Sequence, residues 1–125
     1  MDVRLTDREA ELMEVLWRRG PSTVSEVRDE LEDDFAYTTV LTVLRTLEAK
    51  GYVEHDTEGR AHRYSASISR EKAQRSAARA LVRKFFKGST ELLLTHLVTD
   101  EKLSAAQAER IKLLLDETPS KKGKT

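Results

Sequence analysis

The hydrophobic period of this chain changes at Gly51. Before it, apolar residues recur every three or four positions; after it they alternate, and a short chain that makes this switch has few folds open to it. In the stretch before the switch, Ala36 to Gly51 (AYTTVLTVLRTLEAKG), Val40, Val43, Leu44 and Leu47 form one helical stripe. Thr38, Thr39, Thr42, Arg45 and Thr46 cover the remaining surface. A face that serves only solubility carries Glu and Lys, whereas hydroxyls and an Arg suit a DNA groove: Thr reaches phosphates or bases, and Arg reaches guanine. After the switch, Tyr52 to His55 begin a strand, Thr57 to Arg60 hold a turn around Gly59, and His62 to Ser65 return as a second strand. Arg60 falls at the tip, followed by His62 and Arg63, where an adjacent phosphate or minor groove can be touched.

Two helices are expected ahead of this pair. Thr6 and Glu9 have the spacing of a capping box with Leu5 as its staple, and Leu12, Val15, Leu16 and Trp17 continue as an apolar face until Gly20 and Pro21 stop the helix. A second box, Thr23 and Glu26, opens a short helix with Val24, Val27 and Leu31 inward. Trp17 lies in register with the leucines and is assigned to the core. Three helices and a hairpin in this order give a winged helix-turn-helix whose third helix is the reader.

A formal net charge of zero at first argues against a nucleic-acid partner. The balance hides a split. Residues 1–67 carry nine Lys and Arg against fifteen Asp and Glu, a net of −6, and residues 68–125 carry thirteen against seven, a net of +6. DNA binding by the acidic half then depends on local placement of Arg45, Arg60, Arg63 and Lys50, with the acids of Asp2 to Glu14 and Glu26 to Asp34 turned away from phosphate. There is no cysteine, so disulfides and thiolate metal sites are excluded. His55, His62 and His96 do not make a metal site without further ligands, and no nucleophile stands beside a base, so neither an enzyme nor a cofactor is expected. With no long apolar run and no secretory signal, the expected location is cytoplasmic, without membrane insertion.

A third cap, Ser69, starts a long helix to about Phe86 with seven cations along or beside it and Ala73, Ala77, Leu81 and Phe85 on another side. Ser89 opens a helix with Leu92, Leu93, Leu94, Leu97 and Val98, and Ser104 with Gln107 opens the last, with Ala108, Ile111, Leu114 and Leu115. About fifty residues make a small core of their own, so Phe85, Leu92, Leu93, Leu97, Ile111, Leu114 and Leu115 are expected to pair with a second copy. The expected organisation is mainly α with a small β-hairpin. Residues 1–67 form a winged-helix DNA-binding domain, 68–118 a helical dimerisation domain, and 119–125 a disordered basic tail.

The chain resembles the penicillinase-repressor family, the BlaI, MecI and CopY type of bacterial repressor, over residues 4 to about 117. The resemblance rests on Leu5 to Gly20 with its Leu16-Trp17 pair, on Val24, Glu26 and Val27, on the run Thr38-Thr39-Val40 and Thr42-Val43-Leu44 closing at Lys50-Gly51, and on Gly59-Arg60-Ala61-His62-Arg63-Tyr64. It implies a homodimer on a palindromic double-stranded operator that blocks transcription. It also implies, for the beta-lactamase branch, release by proteolysis of the dimerisation region under a membrane-bound sensor metalloprotease. Aligned through Ser89 and Leu103-Ser104, the family's cleaved bond falls at His96-Leu97, where the residue types differ from the family's. The copper-responsive branch is set aside because its cysteine motif has no counterpart. Two other classes fit the residues: a winged-helix regulator that senses a small molecule, and a dimeric protein-interaction adaptor.

Overall fold

The computed structural model describes residues 2–118; the expected disordered tail, 119–125, lies outside the described residues. The chain divides into two compact units, at Leu81 and Val82. In the first, α1 spans Asp7–Arg19, β1 Ser22–Thr23, α2 Val24–Glu30, α3 Tyr37–Ala49, β2 Val53–Glu58 and β3 Ala61–Ala66. Helix α4, Arg70–Phe85, begins in this unit, and α5, Thr90–Asp100, and α6, Ala105–Glu117, belong to the second.

The caps form as their spacing requires. The Thr6 hydroxyl accepts from Glu9 N–H at 3.1 Å while the Glu9 carboxylate accepts from Thr6 N–H at 2.9 Å, and Thr23 with Glu26 repeats the exchange at 3.2 and 2.9 Å. Ser104 and Gln107 make a third box, and Ser89 caps α5 through Leu92 N–H. Lys50 and Gly51 end α3, with Gly51 at a φ of 86°, a left-handed value that favours glycine.

The sheet order is β1-β3-β2, all antiparallel, so β3 is central. The hairpin turn is tighter than the four residues expected: both strands run to a two-residue turn, Gly59-Arg60. The two-residue β1 was not anticipated. It pairs Ser22 with Tyr64 and Thr23 with Arg63, and two residues are too few to show a period of two.

Val40, Leu44 and Leu47 of α3 are buried against Leu12, Met13, Val15 and Leu16 of α1 and Val24 and Val27 of α2, with Tyr52, Val53 and Tyr64 closing the core from the wing side. Val43 is only half-buried at its edge, as is Trp17, whose indole N–H donates to the Ile68 carbonyl at 2.9 Å. Emptying one of the fully buried leucine sites to alanine costs about 2 to 5 kcal/mol in a core of this kind. The first half of α4 joins the same unit, where Ala73 and Ser76 are buried and Ser76 accepts the Val3 N–H at 2.7 Å.

One buried carboxylate ties both ends of this core together. Glu9 is 5% exposed, and besides capping α1 it holds the Lys50 ammonium at 2.8 and 2.9 Å from its two oxygens. Lys50, counted in the sequence among the cations that serve DNA, is thus engaged inside the fold. Burial alone would raise the Glu9 pKa, but the Lys50 ammonium and the Thr6 cap together hold it below the ordinary carboxylate value of 4.5. A depressed folded-state pKa contributes stability above the unfolded value and loses it as pH falls through the folded one. Glu9→Gln keeps an amide acceptor for the cap and removes the charge. At pH 7 it is expected to lower unfolding stability by about 1 to 2 kcal/mol, discounted because the Lys50 end is partly in water. The gap from wild type should narrow as pH falls below the ordinary carboxylate value of 4.5 and through the lower folded one. Chemical denaturation at pH 7 and pH 3 measures this, and a gap unchanged at pH 3 would assign the loss to packing instead.

Candidate nucleic-acid interface

With its apolar stripe turned into the core, α3 presents Thr38, Thr42, Arg45 and Thr46 to solvent, and Thr39 is half-buried. These five positions share one helix because the stripe at Val40, Leu44 and Leu47 leaves no other side for them. In the unbound protein the Thr46 hydroxyl donates to the Thr42 carbonyl one turn back, at 3.0 Å, so its donor is occupied by its own helix.

The wing brings its own residues beside Arg45; Thr38, Thr39, Thr42 and Thr46 do not line the cleft they share. Arg45, Arg60 and His62 line one cleft of about 500 Å³ between α3, the start of α2 and the hairpin, together with Tyr37, Glu48, His55 and Tyr64. His62 stacks on His55 across the hairpin, ring centroids 4.5 Å apart, and His55 lies 5.3 Å from the Tyr64 ring. His55 Nδ1 stands 2.7 and 2.9 Å from the two Glu48 oxygens; a carboxylate has no proton to give, so Nδ1 carries the hydrogen and donates. Burial raises the Tyr64 hydroxyl pKa, and the Glu48 charge pushes the same way, while the Arg45 guanidinium opposes both. Tyr64 therefore stays neutral at the floor of the cleft. The arrangement offers two cations, two imidazoles and a row of hydroxyls on a concave surface, which is the inventory for phosphate and base-edge contacts.

Arg63 is placed differently from its neighbours. Its guanidinium lies 3.2 Å from Glu26, 3.2 Å from Glu58 and 3.3 Å from the Pro21 carbonyl. Glu26, expected to turn away, therefore faces the wing. Two cleft residues, Tyr37 and Glu48, escaped the sequence reading. Tyr37 is 44% exposed at the start of α3, and the large exposed aromatic next to a hydroxyl run was the signal for it. Glu48 gave no signal, because nothing local foretells that an acid on α3 meets a histidine seven residues on. Among the described residues no group of His, Cys, Asp or Glu can hold a metal ion, and no helix is long and apolar enough to cross a membrane.

The second unit holds the leucines. Phe85, Leu92, Leu97, Ile111, Leu114 and Leu115 are exposed, Phe85 by 73% and Leu114 by 63%, whereas Leu93 is half-buried. His96 and Leu97 lie exposed within α5, and the His96 ring is 3.6 Å from Asp100 one turn on.

The penicillinase repressor family model matches residues 5–117. This chain belongs to the penicillinase repressor family. It is 36% identical over 118 residues to the transcriptional regulator BlaI of Mycobacterium tuberculosis, which covers 91% of this chain and 84% of that protein. The penicillinase repressor of Bacillus licheniformis is 24% identical over 121 residues, covering 95% of this chain and 94% of that protein. Solved structures share the fold. A transcriptional regulator from Thermotoga maritima superposes with a TM-score of 0.52 at 19% identity, over 90% of this chain and 72% of the other. A MarR family protein from Bacillus stearothermophilus gives 0.51 at 18% identity, over 91% and 72%. Membership of the penicillinase repressor family makes the chain a winged-helix DNA-binding transcriptional repressor and not an enzyme.

Proposed function

We propose that this penicillinase repressor family member acts as a homodimer on a two-fold operator, with Thr38, Thr39, Thr42, Arg45 and Thr46 entering the major groove and Arg60, His62 and Arg63 meeting the adjacent backbone. The observation that carries the reading is the convergence of Arg45 from α3 and Arg60 and His62 from the wing on one cleft, in a half of the chain whose net charge is otherwise negative. Arg45 sits where a bidentate contact to guanine O6 and N7 is within reach, and Arg60 at a hairpin tip meets phosphate. Arg45→Ala should cost about 1 to 3 kcal/mol on the cognate operator and much less on a scrambled one. Arg60→Ala should weaken both duplexes alike and lower the salt slope by roughly one ion per wing. Titrations at three salt concentrations on matched and scrambled duplexes separate the two; an equal loss on both duplexes for Arg45→Ala would reassign it to the backbone.

The homodimer reading is supported by the apolar surface of α5 and α6, whose outward Leu97, Ile111, Leu114 and Leu115 are more than one subunit of this size leaves in water without a use. A self-complementary pairing of these helices holds two readers at the spacing of two half-sites. Leu97→Asp with Leu114→Asp should give monomers by sedimentation at micromolar concentration, with the first unit still folded. A double variant that stays dimeric places the interface elsewhere.

Release by proteolysis in this unit, under a membrane-bound sensor metalloprotease or its pathway, rests on the alignment of the family's cleaved bond with His96-Leu97. The bond lies inside a hydrogen-bonded helix, so a protease must first open α5 locally, and subunit pairing over Leu97 would slow that opening. Cleavage there would uncouple the two half-site contacts and weaken the dimer's hold on DNA. Mass spectrometry of the protein from induced cells should show fragments ending at or near His96; intact chains on released DNA would turn the search towards an effector.

A further inference from the structure

The wing lacks an apolar anchor beyond its base. All residues from Asp56 to His62 are exposed, and the last inward-facing pair is His55 with Tyr64. At this rung and the next, Asp56 with Arg63, the two strands are tied to the body by carboxylates. Glu48 of α3 holds His55 of β2 at 2.7 Å. Glu26 of α2 holds Arg63 of β3 at 3.2 Å, is fixed from behind by Arg19 at 3.1 Å, and accepts the Thr23 N–H at 2.9 Å, Thr23 being the residue that pairs with Arg63 in the sheet.

We propose that Glu26 and Glu48 are positioning residues for DNA recognition: the two carboxylates pin the wing to the two helices of the helix-turn-helix and so set where its tip meets the duplex relative to Arg45. The hairpin is a lever. From the Asp56–Arg63 rung to the turn is three residues, or about 10 Å. A tilt of some 10° at the base moves Arg60 by about 2 Å, enough to break a hydrogen bond to phosphate. Arg63 then serves as a strut through Nε and Nη1, which face Glu58, Glu26 and the Pro21 carbonyl, and a backbone contact would fall to its Nη2.

This inference rests on the proposed role of Arg60, and the sign of one measurement separates it from the plain alternative. Two acids beside a DNA-facing cleft repel phosphate, so if they did nothing else their removal would strengthen binding. If they position the wing, removal weakens it. Glu26→Gln retains the capping box, in which Gln serves as well as Glu, and removes the charge that holds Arg63. Glu48→Ala removes the His55 partner and leaves the best helix-forming residue in its place.

The experiment uses full-length protein and one operator duplex at three salt concentrations, with each variant made with and without Arg60→Ala. The Glu26→Gln, Glu48→Ala protein is expected to bind roughly tenfold more weakly with an unchanged melting temperature for the helices, and Arg60→Ala should no longer change its salt slope. Binding that is equal or tighter, with the Arg60 effect on the slope intact, overturns the positioning role. An Arg60→Ala variant that leaves the slope unchanged in the otherwise native protein refutes the phosphate contact itself, and the inference falls with it. Should the double variant fail to fold, Glu48→Ala alone decides by the same signs, with a loss of a few-fold expected.

Discussion

The first unit depends on one carboxylate that serves two chain ends. Glu9 accepts the Thr6 N–H where α1 begins and the Lys50 ammonium where α3 stops, so the entry of the first helix and the exit of α3 are fixed at one carboxylate. The chain turns into β2 three residues later, at Val53, and Tyr52 uses its hydroxyl to take the Arg4 N–H at 3.0 Å, closing the N-terminal segment onto the same corner. The direction in which the wing departs is therefore set by polar contacts over a core that is otherwise apolar. A charge pair with one buried end gives little net stability beside a well-packed apolar equivalent, but it has one geometry in which both charges are satisfied, and that geometry fixes the exit of α3.

The same economy resolves the charge of the reading half. A net of −6 would repel DNA if the acids were free, yet many of them face the chain's own cations. Glu26 and Glu30 hold Arg19, Glu30 also holds Arg18, and Glu14 holds Arg70. The acidic linker Glu32 to Asp34 is exposed, away from the residues that line the cleft. Among the described residues neither Arg60 nor Arg45 makes an ion pair, and the Arg45 guanidinium lies by the Tyr64 hydroxyl. Net charge describes the half as a whole, whereas a phosphate responds to the charges within about a Debye length, roughly 8 to 10 Å. The local field at the cleft is therefore set by the charges that line it, Arg45 and Arg60 against Glu48, and not by the sum.

What was legible in the sequence is what local physics decides. Caps at Thr6, Thr23, Ser89 and Ser104 lie three residues from their partners, and the apolar stripes follow the period of a helix, so the elements and the winged-helix order could be read directly. Contacts between distant positions could not. The pairing of Ser22 and Thr23 with β3 spans some forty residues and leaves no trace in a two-residue segment. Ser76, on a helix read as belonging wholly to the second domain, is the buried acceptor for Val3. Among the expected DNA contacts, Arg45, Arg60 and His62 come together, but Arg63 looked the same as Arg60 in sequence and differs only because Glu26 lies beside it in space.

The two units meet different physical demands. The first is closed: its buried side-chain polar atoms all have partners among the described residues, and its apolar stripe is covered. The second has no buried residue on α5 or α6 at all, although both are capped and carry leucines at close spacing. Caps and propensity alone leave helices of 11 and 13 residues marginal in water, since most helical stability comes from packing. Such helices need a cover to persist, and a cover drawn from a second copy makes folding of this unit and assembly one event. In the proposed dimer the hold on DNA would depend on this least self-sufficient segment, because any event that uncovers α5 and α6 would separate the two copies of α3 without touching either one.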